Sequence, residues 1–403
     1  MEIEKVSGGE EAEVEKTAEQ NEIDEALKSF EESEAEEVAK AEAEVEREEP
    51  KKRRWLLNVF LIAIIAVGVY LMFRITSEFS ETNKSLWEIL NEADTLFAIL
   101  TFASLLTILV AESMKYAIIM RAVTGKFHPI ISLKTMFVGK YYDNITPFST
   151  GGQPMQIYFL CKKGFAGGVS GAVIMIKYFA NTFIWLIVAG VLMATNASAL
   201  GSLGGSLTLR VLAWVGWGIN MVIPTSVIFF VILPKFSYAL TKALIFIGAK
   251  LKIVKDKEKT LAKSVKIVSD FKASFKIMSK KPATLIALIL CCTLEICLTF
   301  AFPFFIAETF GELAIPETGL NAVIRVMAIN AFIAFAVSPI PTPGNSGAWE
   351  GASSVAFRAI ASSAWVLFTW RFFVYYIYIV IGLGITVFEV VSNLTRGRRN
   401  NKK

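Results

Sequence analysis

Histidine and cysteine are scarce in this sequence, and their scarcity excludes several kinds of site. His128 is the only histidine among 403 residues, so no Cys₂His₂ zinc pattern is present. The four cysteines are Cys161, Cys291, Cys292 and Cys297. Three of them lie in one apolar segment, without the spacing of metal ligands. We therefore predict no metal site and no cofactor, and we interpret the cysteines as small packing residues.

Long apolar segments with few charges dominate the rest of the chain. About 20 such residues are enough to span a bilayer as a helix. Six segments qualify, namely residues 55–73, 96–120, 168–194, 211–233, 283–306 and 365–391. A further apolar region, 322–340, contains Arg325. The sequence therefore predicts an all-α, polytopic membrane protein with six full spans.

Charge is divided unevenly along the chain. Residues 1–50 contain 20 Asp and Glu against 5 Lys and Arg, whereas the remainder contains 16 against 36. The acidic segment has too few apolar residues to bury a core, so we predict a disordered cytoplasmic tail, with partner docking as the alternative. The predicted domains are this tail, a transmembrane domain over 51–395 and a basic cytoplasmic tail over 396–403.

Basic residues predict which loops face the cytoplasm, because Lys and Arg are enriched on that side of a membrane. This places segments 51–54, 121–140, 234–281 and 396–403 inside, and the acid-rich segments 74–94 and 308–319 outside. Both termini are then cytoplasmic, and we predict the plasma membrane as the location. Segment 234–281 has 13 Lys and apolar residues at helical spacing. It indicates either an amphipathic helix on the anionic inner leaflet or a soluble helical hairpin.

Two polar, turn-rich segments interrupt the apolar pattern. Residues 146–152 read TPFSTGG and residues 342–348 read TPGNSGA, and they align without a gap at an offset of 196 residues. The charge pattern makes the first region enter and leave from the cytoplasm, and the second from outside. We therefore predict two oppositely oriented re-entrant, broken-helix hairpins that form an inverted repeat and bind substrate near the midplane. A chance match between short sequences is the alternative.

Both hairpins carry residue types that suit an anion site. Glycine lets the backbone approach a ligand closely, and a helix N terminus presents N–H groups and partial positive charge. Charges inside a membrane are costly and usually functional. The predicted substrate-binding residues are Asn144, Thr150, Gly151, Gly152, Gln153, Gln156, Lys177, Asn345, Ser346, Gly347, Glu350, Arg358 and Arg371; no catalytic residue is predicted. The alternative is that both segments only turn the chain between packed helices.

The charged candidates have different predicted roles. Lys177 and Arg371 lie at similar depths in the spans that follow the two hairpins, so together they could hold a phosphate. Glu350 would balance charge or exchange a proton. Glu112 and Lys115 lie one turn apart, and we expect them to extend toward the interface or to pair with each other.

Sequence around both hairpins resembles a known family. Tyr142, Asn144 and Pro147 precede a Gly-Gly pair, and residues 341–351 read PTPGNSGAWEG. These segments resemble two motifs of the lysylphosphatidylglycerol synthase transmembrane-region family, whose members contain a flippase-like domain; the resemblance covers about residues 55–395. In the first motif Gln153 and Gln156 stand where the family has Asp and Arg.

The resemblance implies the membrane domain of the multiple peptide resistance factor, which moves aminoacylated phosphatidylglycerol across the bilayer. In that protein a separate soluble domain makes the lipid. Because Lys403 follows the last predicted span closely, we expect no such domain in this chain. An annotation as phosphatidylglycerol lysyltransferase would then be inherited from the family, and we do not expect lysyl transfer by this chain alone.

We predict a translocase for a lipid with an anionic or phosphate-bearing headgroup, with aminoacylated phosphatidylglycerol as one candidate. Two alternatives are a membrane component of a phosphatidylglycerol lysyltransferase system for cationic peptide resistance, and a non-catalytic partner subunit of a soluble enzyme. The predicted partners are membrane lipids, including anionic inner-leaflet lipids at 234–281, and a soluble synthase. No nucleic-acid partner is predicted.

Overall fold

The computed structural model describes residues 70, 86–146, 149–196, 207–232, 276, 278, 280–340, 349, 352 and 357–400. All of them belong to one unit, Leu61–Lys403. The predicted acidic tail, nearly all of segment 234–281 and most of the second hairpin lie outside the described residues. So does the predicted span 55–73, apart from Tyr70.

The part of the chain that the structure describes is helical and contains no strand. Its α-helices are α1 (Leu86–Asn91), α2 (Thr95–Thr124), α3 (Pro129–Ile145), α4 (Gly152–Lys162), α5 (Gly167–Thr195), α6 (Leu207–Ile232), α7 (Pro282–Thr309), α8 (Gly319–Val337), α9 (Ala364–Arg371) and α10 (Ile377–Asn400). A 3₁₀ turn (Phe357–Ala359) precedes α9, and a π-helix (Phe372–Tyr376) joins α9 to α10.

Five described segments are long and apolar enough to cross a membrane. They are α2, α5, α7, α8 and the continuous segment Ala364–Glu389. The chain is therefore a multi-pass helical membrane protein, as its apolar segments predict. Helix α6 coincides with the predicted span 211–233. The full count of six spans remains a prediction.

Helix α2 shows how the sequence defines one of these segments. The side chain of Asp94 accepts a hydrogen bond from the N–H of Phe97 at 3.0 Å, which caps the first turn. Gly125 ends the helix with a φ of 74°, a left-handed conformation that glycine adopts without steric cost. The 30 residues between them extend about 45 Å at 1.5 Å per residue, more than the hydrocarbon core requires.

Helix α8 corresponds to the apolar region in which the sequence shows a charge. Arg325 lies in its second turn, and its guanidinium is 3.8 Å from the carboxylate of Glu317, just before the helix. The charge therefore stays near one helix end. The apolar residues beyond it make α8 long enough to span.

The first polar segment forms a turn between two packed helices. Helix α3 ends at Ile145, and α4 begins at Gly152. The sequence explains this break through Pro147, because proline disfavours helix for the residue before it. Ser149 has a φ of 51°, in the left-handed region that non-glycine residues adopt mainly in turns. We call α3, the turn and α4 the first hairpin.

The described helices pack around α2, α5 and α7, which contact one another pairwise. The first hairpin packs against α2 through α3 and against α5 through α4. Helix α10 covers the other side of α3, and α8 packs against α5, α6 and α7. The interior of this assembly contains both the apolar core and a group of buried charges.

Glycine permits the close contact between α10 and the first hairpin. A Cβ on Gly382 would overlap the Cβ of Tyr141 and lie 2.7 Å from the carbonyl oxygen of Phe137, whereas a Cβ on Gly384 would meet no atom within 4 Å. We expect Gly382→Ala to lower the free energy of unfolding by about 1–3 kcal/mol through overpacking. Gly384→Ala, the matched control, is expected to be neutral or to stabilise by up to about 1 kcal/mol.

Thermal unfolding of the purified variants in detergent, followed by size-exclusion chromatography, measures this difference. Equal midpoints for the two variants would contradict the proposed contact.

Candidate functional site

Charged side chains from three membrane-spanning helices meet inside the protein. Lys115 of α2 forms an ion pair with Glu112 on the same helix and a second with Glu295 of α7, whose carboxylate oxygen is 3.2 Å from its Nζ. Its ammonium also donates to the side-chain oxygen of Asn181 on α5. Lys115 is 0% exposed, Glu112 1% and Glu295 7%. The ammonium therefore links all three helices.

A second lysine completes this group. Lys177 of α5 donates to the other carboxylate oxygen of Glu112 at 2.6 Å, and its ammonium lies 5.0 Å from the centre of the Tyr116 ring. Thr299 donates to Glu295 at 3.2 Å. We call Glu112, Lys115, Lys177 and Glu295 the buried ion network. Its two formal positive and two negative charges balance, as buried charges require if they are to be tolerated.

The network borders a small polar cavity of about 50 Å³ between α2, α5 and the first hairpin. A volume of this size holds a few water molecules or a small polar group. The lining residues are Glu112, Tyr116, Lys140, Asp143, Gln153, Gln156, Ile174, Lys177 and Tyr178. We call this space the hairpin cavity. Two ammonium groups, those of Lys140 and Lys177, and two carboxylates, those of Glu112 and Asp143, line it.

The two backbone amides at the start of α4 are hydrogen-bonded within the hairpin. Gly152 N–H donates to a carboxylate oxygen of Asp143 at 2.8 Å, and Gly151 N–H donates to the hydroxyl of Thr146 at 2.9 Å. A carboxylate is the preferred partner of a helix N terminus. Because these amides are already occupied, the lysine ammonium groups are the main positive groups facing the cavity.

Lys140 differs from the lysines of the buried ion network. It lies on α3 and lines the hairpin cavity, but it forms no ion pair with any residue in the described part of the chain. Its ammonium is 5.7 Å from the centre of the Tyr378 ring, a cation–π distance. Of the two lysines that line this cavity, Lys140 is the one that makes no close ion pair with a described carboxylate, although Glu112 and Asp143 act on its charge at longer range.

Three of the predicted binding residues line this cavity. Lys177 lines the cavity while paired with Glu112. Gln153 lines it from the first turn of α4. Gln156, which is 5% exposed, donates to the hydroxyl of Tyr116 at 2.8 Å and to the carbonyl of Thr135 at 3.1 Å. Its uncharged amide therefore joins α4 to α2 and α3.

Asn144 and Arg371 both contact Tyr375. The Asn144 side chain donates to the carbonyl of Tyr375 at 3.3 Å, and the hydroxyl of Tyr375 donates to the carbonyl of Asn144 at 3.1 Å. The guanidinium of Arg371 stacks 4.2 Å from the centre of the Tyr375 ring. The predicted residues of the first hairpin and of the last span are thus connected, although Arg371 does not line the hairpin cavity.

The remaining predicted residues lie elsewhere. Gly151 and Gly152 begin α4, Thr150 is exposed at the turn, and Arg358 is exposed in the 3₁₀ turn. Asn345, Ser346, Gly347 and Glu350 lie outside the described residues. Of the predicted site, the structure brings together Gln153, Gln156 and Lys177 at the hairpin cavity.

Sequence reasoning missed several members of the site. Glu112 and Lys115 pair with each other as predicted, but the alternative expectation that they extend toward the interface is wrong, because both are enclosed by α5 and α7. By sequence, Lys140 belongs to the basic residues of a cytoplasmic loop, whereas it lies on α3 and faces the cavity. The available signal was charge inside apolar segments, which is present at Glu112, Lys115 and Glu295 but does not give their partners on other helices.

Comparison with known families gives an independent assignment. The model of the family "Lysylphosphatidylglycerol synthase TM region" matches residues 56–382, which is 327 of the 403 residues. No curated protein matches the chain. The matched region contains the first hairpin, the buried ion network and the hairpin cavity. The chain therefore belongs to the family of lysylphosphatidylglycerol synthase transmembrane regions.

Proposed function

We propose that this protein moves a lipid with an anionic or phosphate-bearing headgroup across the plasma membrane. The hairpin cavity is the observation that carries this proposal, because it offers ammonium groups and hydrogen-bonding side chains between membrane-spanning helices. A polar headgroup cannot cross hydrocarbon without such partners. The family name concerns lysylphosphatidylglycerol, so aminoacylated phosphatidylglycerol is one candidate substrate.

The order of the helices supports the inverted repeat that this mechanism requires. Long α2 is followed by shorter α3, a break, short α4 and long α5; long α7 is followed by shorter α8, a polar segment and the span that starts with α9. The lengths correspond, with 30 and 28 residues for α2 and α7, and 17 and 19 for α3 and α8. The starts of α5 and α9 differ by 197 residues, close to the predicted offset.

Within this arrangement the buried ion network and the first hairpin have different roles. The network ties α2, α5 and α7 together through Lys115, so it forms the fixed wall of the site. The first hairpin forms the opposite wall and contributes Lys140 and Gln153. A headgroup phosphate would contact Lys140 and draw Lys177 partly away from Glu112. The two hairpins would then expose the site to one side of the membrane at a time.

Reconstitution of the full chain into liposomes tests the proposal. A fluorescent phosphatidylglycerol should become accessible to a membrane-impermeant quencher faster with protein than in empty liposomes, whereas a fluorescent neutral glycolipid should not. Lys140→Met should slow the phospholipid roughly ten- to hundredfold, because a hydrogen bond to a charged group contributes about 1.5–3 kcal/mol. Lys162→Met, which removes an exposed lysine at the end of α4, is the matched control.

Two results would contradict the proposal. One is that phosphate-bearing lipids, including polyprenyl phosphates, move no faster than in protein-free liposomes. The other is that the neutral glycolipid moves as fast as phosphatidylglycerol, which would mean that the protein only perturbs the bilayer.

A further inference from the structure

A large apolar groove lies on the surface of the membrane-spanning helices, away from the hairpin cavity. Its volume is about 560 Å³, and residues of α1, α2, α7, α9 and the π-helix line it. Among the lining residues, Phe102 and Phe372 are 60% and 43% exposed, so the groove opens outward between them. Its size falls in the range of binding sites for small ligands, which is roughly 300–1,000 Å³.

The groove offers almost no polar partner. Thr101 of α2 and Thr309 of α7 both line it, but their hydroxyls are hydrogen-bonded to each other at 2.9 Å. Thr309 also donates to the carbonyl of Phe305 at 2.7 Å. An occupant therefore has to be apolar along this wall, because a polar group would lose its water without gaining a partner.

The groove and the hairpin cavity lie along one face of α2. Ala98, Thr101 and Leu105 line the groove, and Glu112 and Tyr116 line the cavity. These positions follow one another at intervals of three, four, seven and four residues, the spacing of a single helix face. Leu105 and Glu112 are seven residues apart, or about 10 Å along the axis. The groove itself extends over a similar length, about a third of the hydrocarbon core.

The helices that form the groove indicate which molecules can enter it. It is formed by α2, α7 and the segment Ala364–Glu389, all of which are long and apolar enough to span a membrane. Its open side therefore faces lipid hydrocarbon, and the medium that enters it consists of acyl chains. A lipid whose headgroup occupies the hairpin cavity would have its chains within reach of this groove.

We infer that the apolar groove binds one acyl chain of the lipid whose headgroup phosphate enters the hairpin cavity. This inference rests on the proposed function, and it divides the substrate between two sites on α2. The cavity recognises the phosphate-bearing headgroup through its ammonium groups. The groove holds the chain by apolar contact, so it selects for a long chain and has no preference for the headgroup.

A photoactivatable lipid tests the inference directly. The probe is phosphatidylglycerol with a diazirine at the end of one acyl chain, in vesicles of phosphatidylglycerol and phosphatidylcholine containing the full chain. After illumination, adducts are located by mass spectrometry of peptides. We expect Phe102 and Phe372 to be labelled several-fold more than Val380 and Phe388, which are also exposed on the spans but do not line the groove.

Filling the groove should remove this preference. Ala98→Trp should lower labelling of the groove several-fold, because the indole takes up space that the chain would occupy. Val110→Trp, on an exposed position of the same helix outside the groove, is the matched control. If Ala98→Trp does not fold, Thr369→Trp fills the groove from α9.

The outcomes separate the inference from the proposed function. Equal labelling of groove and surface residues, in a protein that moves lipid, would overturn the acyl-chain site and leave the translocase proposal intact. A photoreactive amino acid in place of Phe102 that cross-links to residues 55–73 or to a second copy of the chain, and not to lipid, would also overturn it. Preferential labelling in a protein that moves no lipid would support the site and contradict the proposed function.

Discussion

Lys115→Met is expected to prevent the protein from accumulating in folded form. Lys115 is completely buried, and its ammonium bonds to Glu112, Glu295 and Asn181. Removing it leaves the two buried carboxylates of the network with Lys177 as their one remaining ion-pair partner in the described part of the chain. Breaking a buried ion pair by removing one partner costs about 3–5 kcal/mol, a large part of the total stability of a typical protein. The yield of monodisperse protein after detergent extraction measures the loss.

Removing a second charge should restore part of that yield. In Lys115→Met combined with Glu295→Gln, the remaining pair, Glu112 and Lys177, is balanced, and the introduced amide would keep an oxygen acceptor for Thr299. The control is Lys134→Met. It breaks a partly exposed ion pair with Glu389, which retains Lys163 at 2.6 Å. Exposed pairs contribute about 0–1 kcal/mol, so this variant should accumulate normally.

A different result would change the interpretation of the network. If Lys115→Met accumulated like the unaltered protein but failed to move lipid, Lys115 would act on the substrate and the wall of the site would be held by packing alone. If the double variant were no better than Lys115→Met, balanced charge would not be what stabilises the three helices.

The membrane-spanning helices could be predicted because their signal is local. The predicted spans 96–120 and 168–194 correspond to Thr95–Thr124 and Gly167–Thr195, since a long run of apolar residues determines both the helix and its approximate ends. The helix break before Gly152 could be predicted for the same reason, because proline acts on the residue next to it. Helix α10 continues to Asn400, into the predicted basic tail.

The partners within the site could not be predicted, because they depend on which helices become neighbours. Lys115 and Glu295 are 180 residues apart, and Gln156 and Tyr116 are 40 apart. No local pattern relates them. The sequence assigns Lys140 to a loop because basic residues near a span usually remain in water. In the structure α3 packs between α2 and α10, so that Lys140 lines the hairpin cavity.

The inverted repeat gives the remaining prediction, which has an all-or-none outcome. The charge pattern predicts that the two hairpins enter from opposite faces, and each would place irregular backbone in a protein-lined space within the membrane. Ser149 lies in the turn of the first hairpin, partly exposed, and Ser346 is its counterpart in the second segment. These two positions therefore report on the two sides of the membrane.

Single cysteines at these positions, in a chain whose four native cysteines are replaced, distinguish the two sides. We expect Ser149→Cys to react with an impermeant thiol reagent only from the cytoplasmic side, and Ser346→Cys only from outside. A phosphate-bearing lipid should protect both, because a headgroup in the site would cover both turns. Lys162→Cys, at the exposed end of α4, should react from the cytoplasm with or without lipid and serves as the control. Reaction of both serine positions from the same face would show that the two TP-containing segments are alike by chance. Reaction from opposite faces without protection would preserve the repeat and place the headgroup away from the hairpin turns.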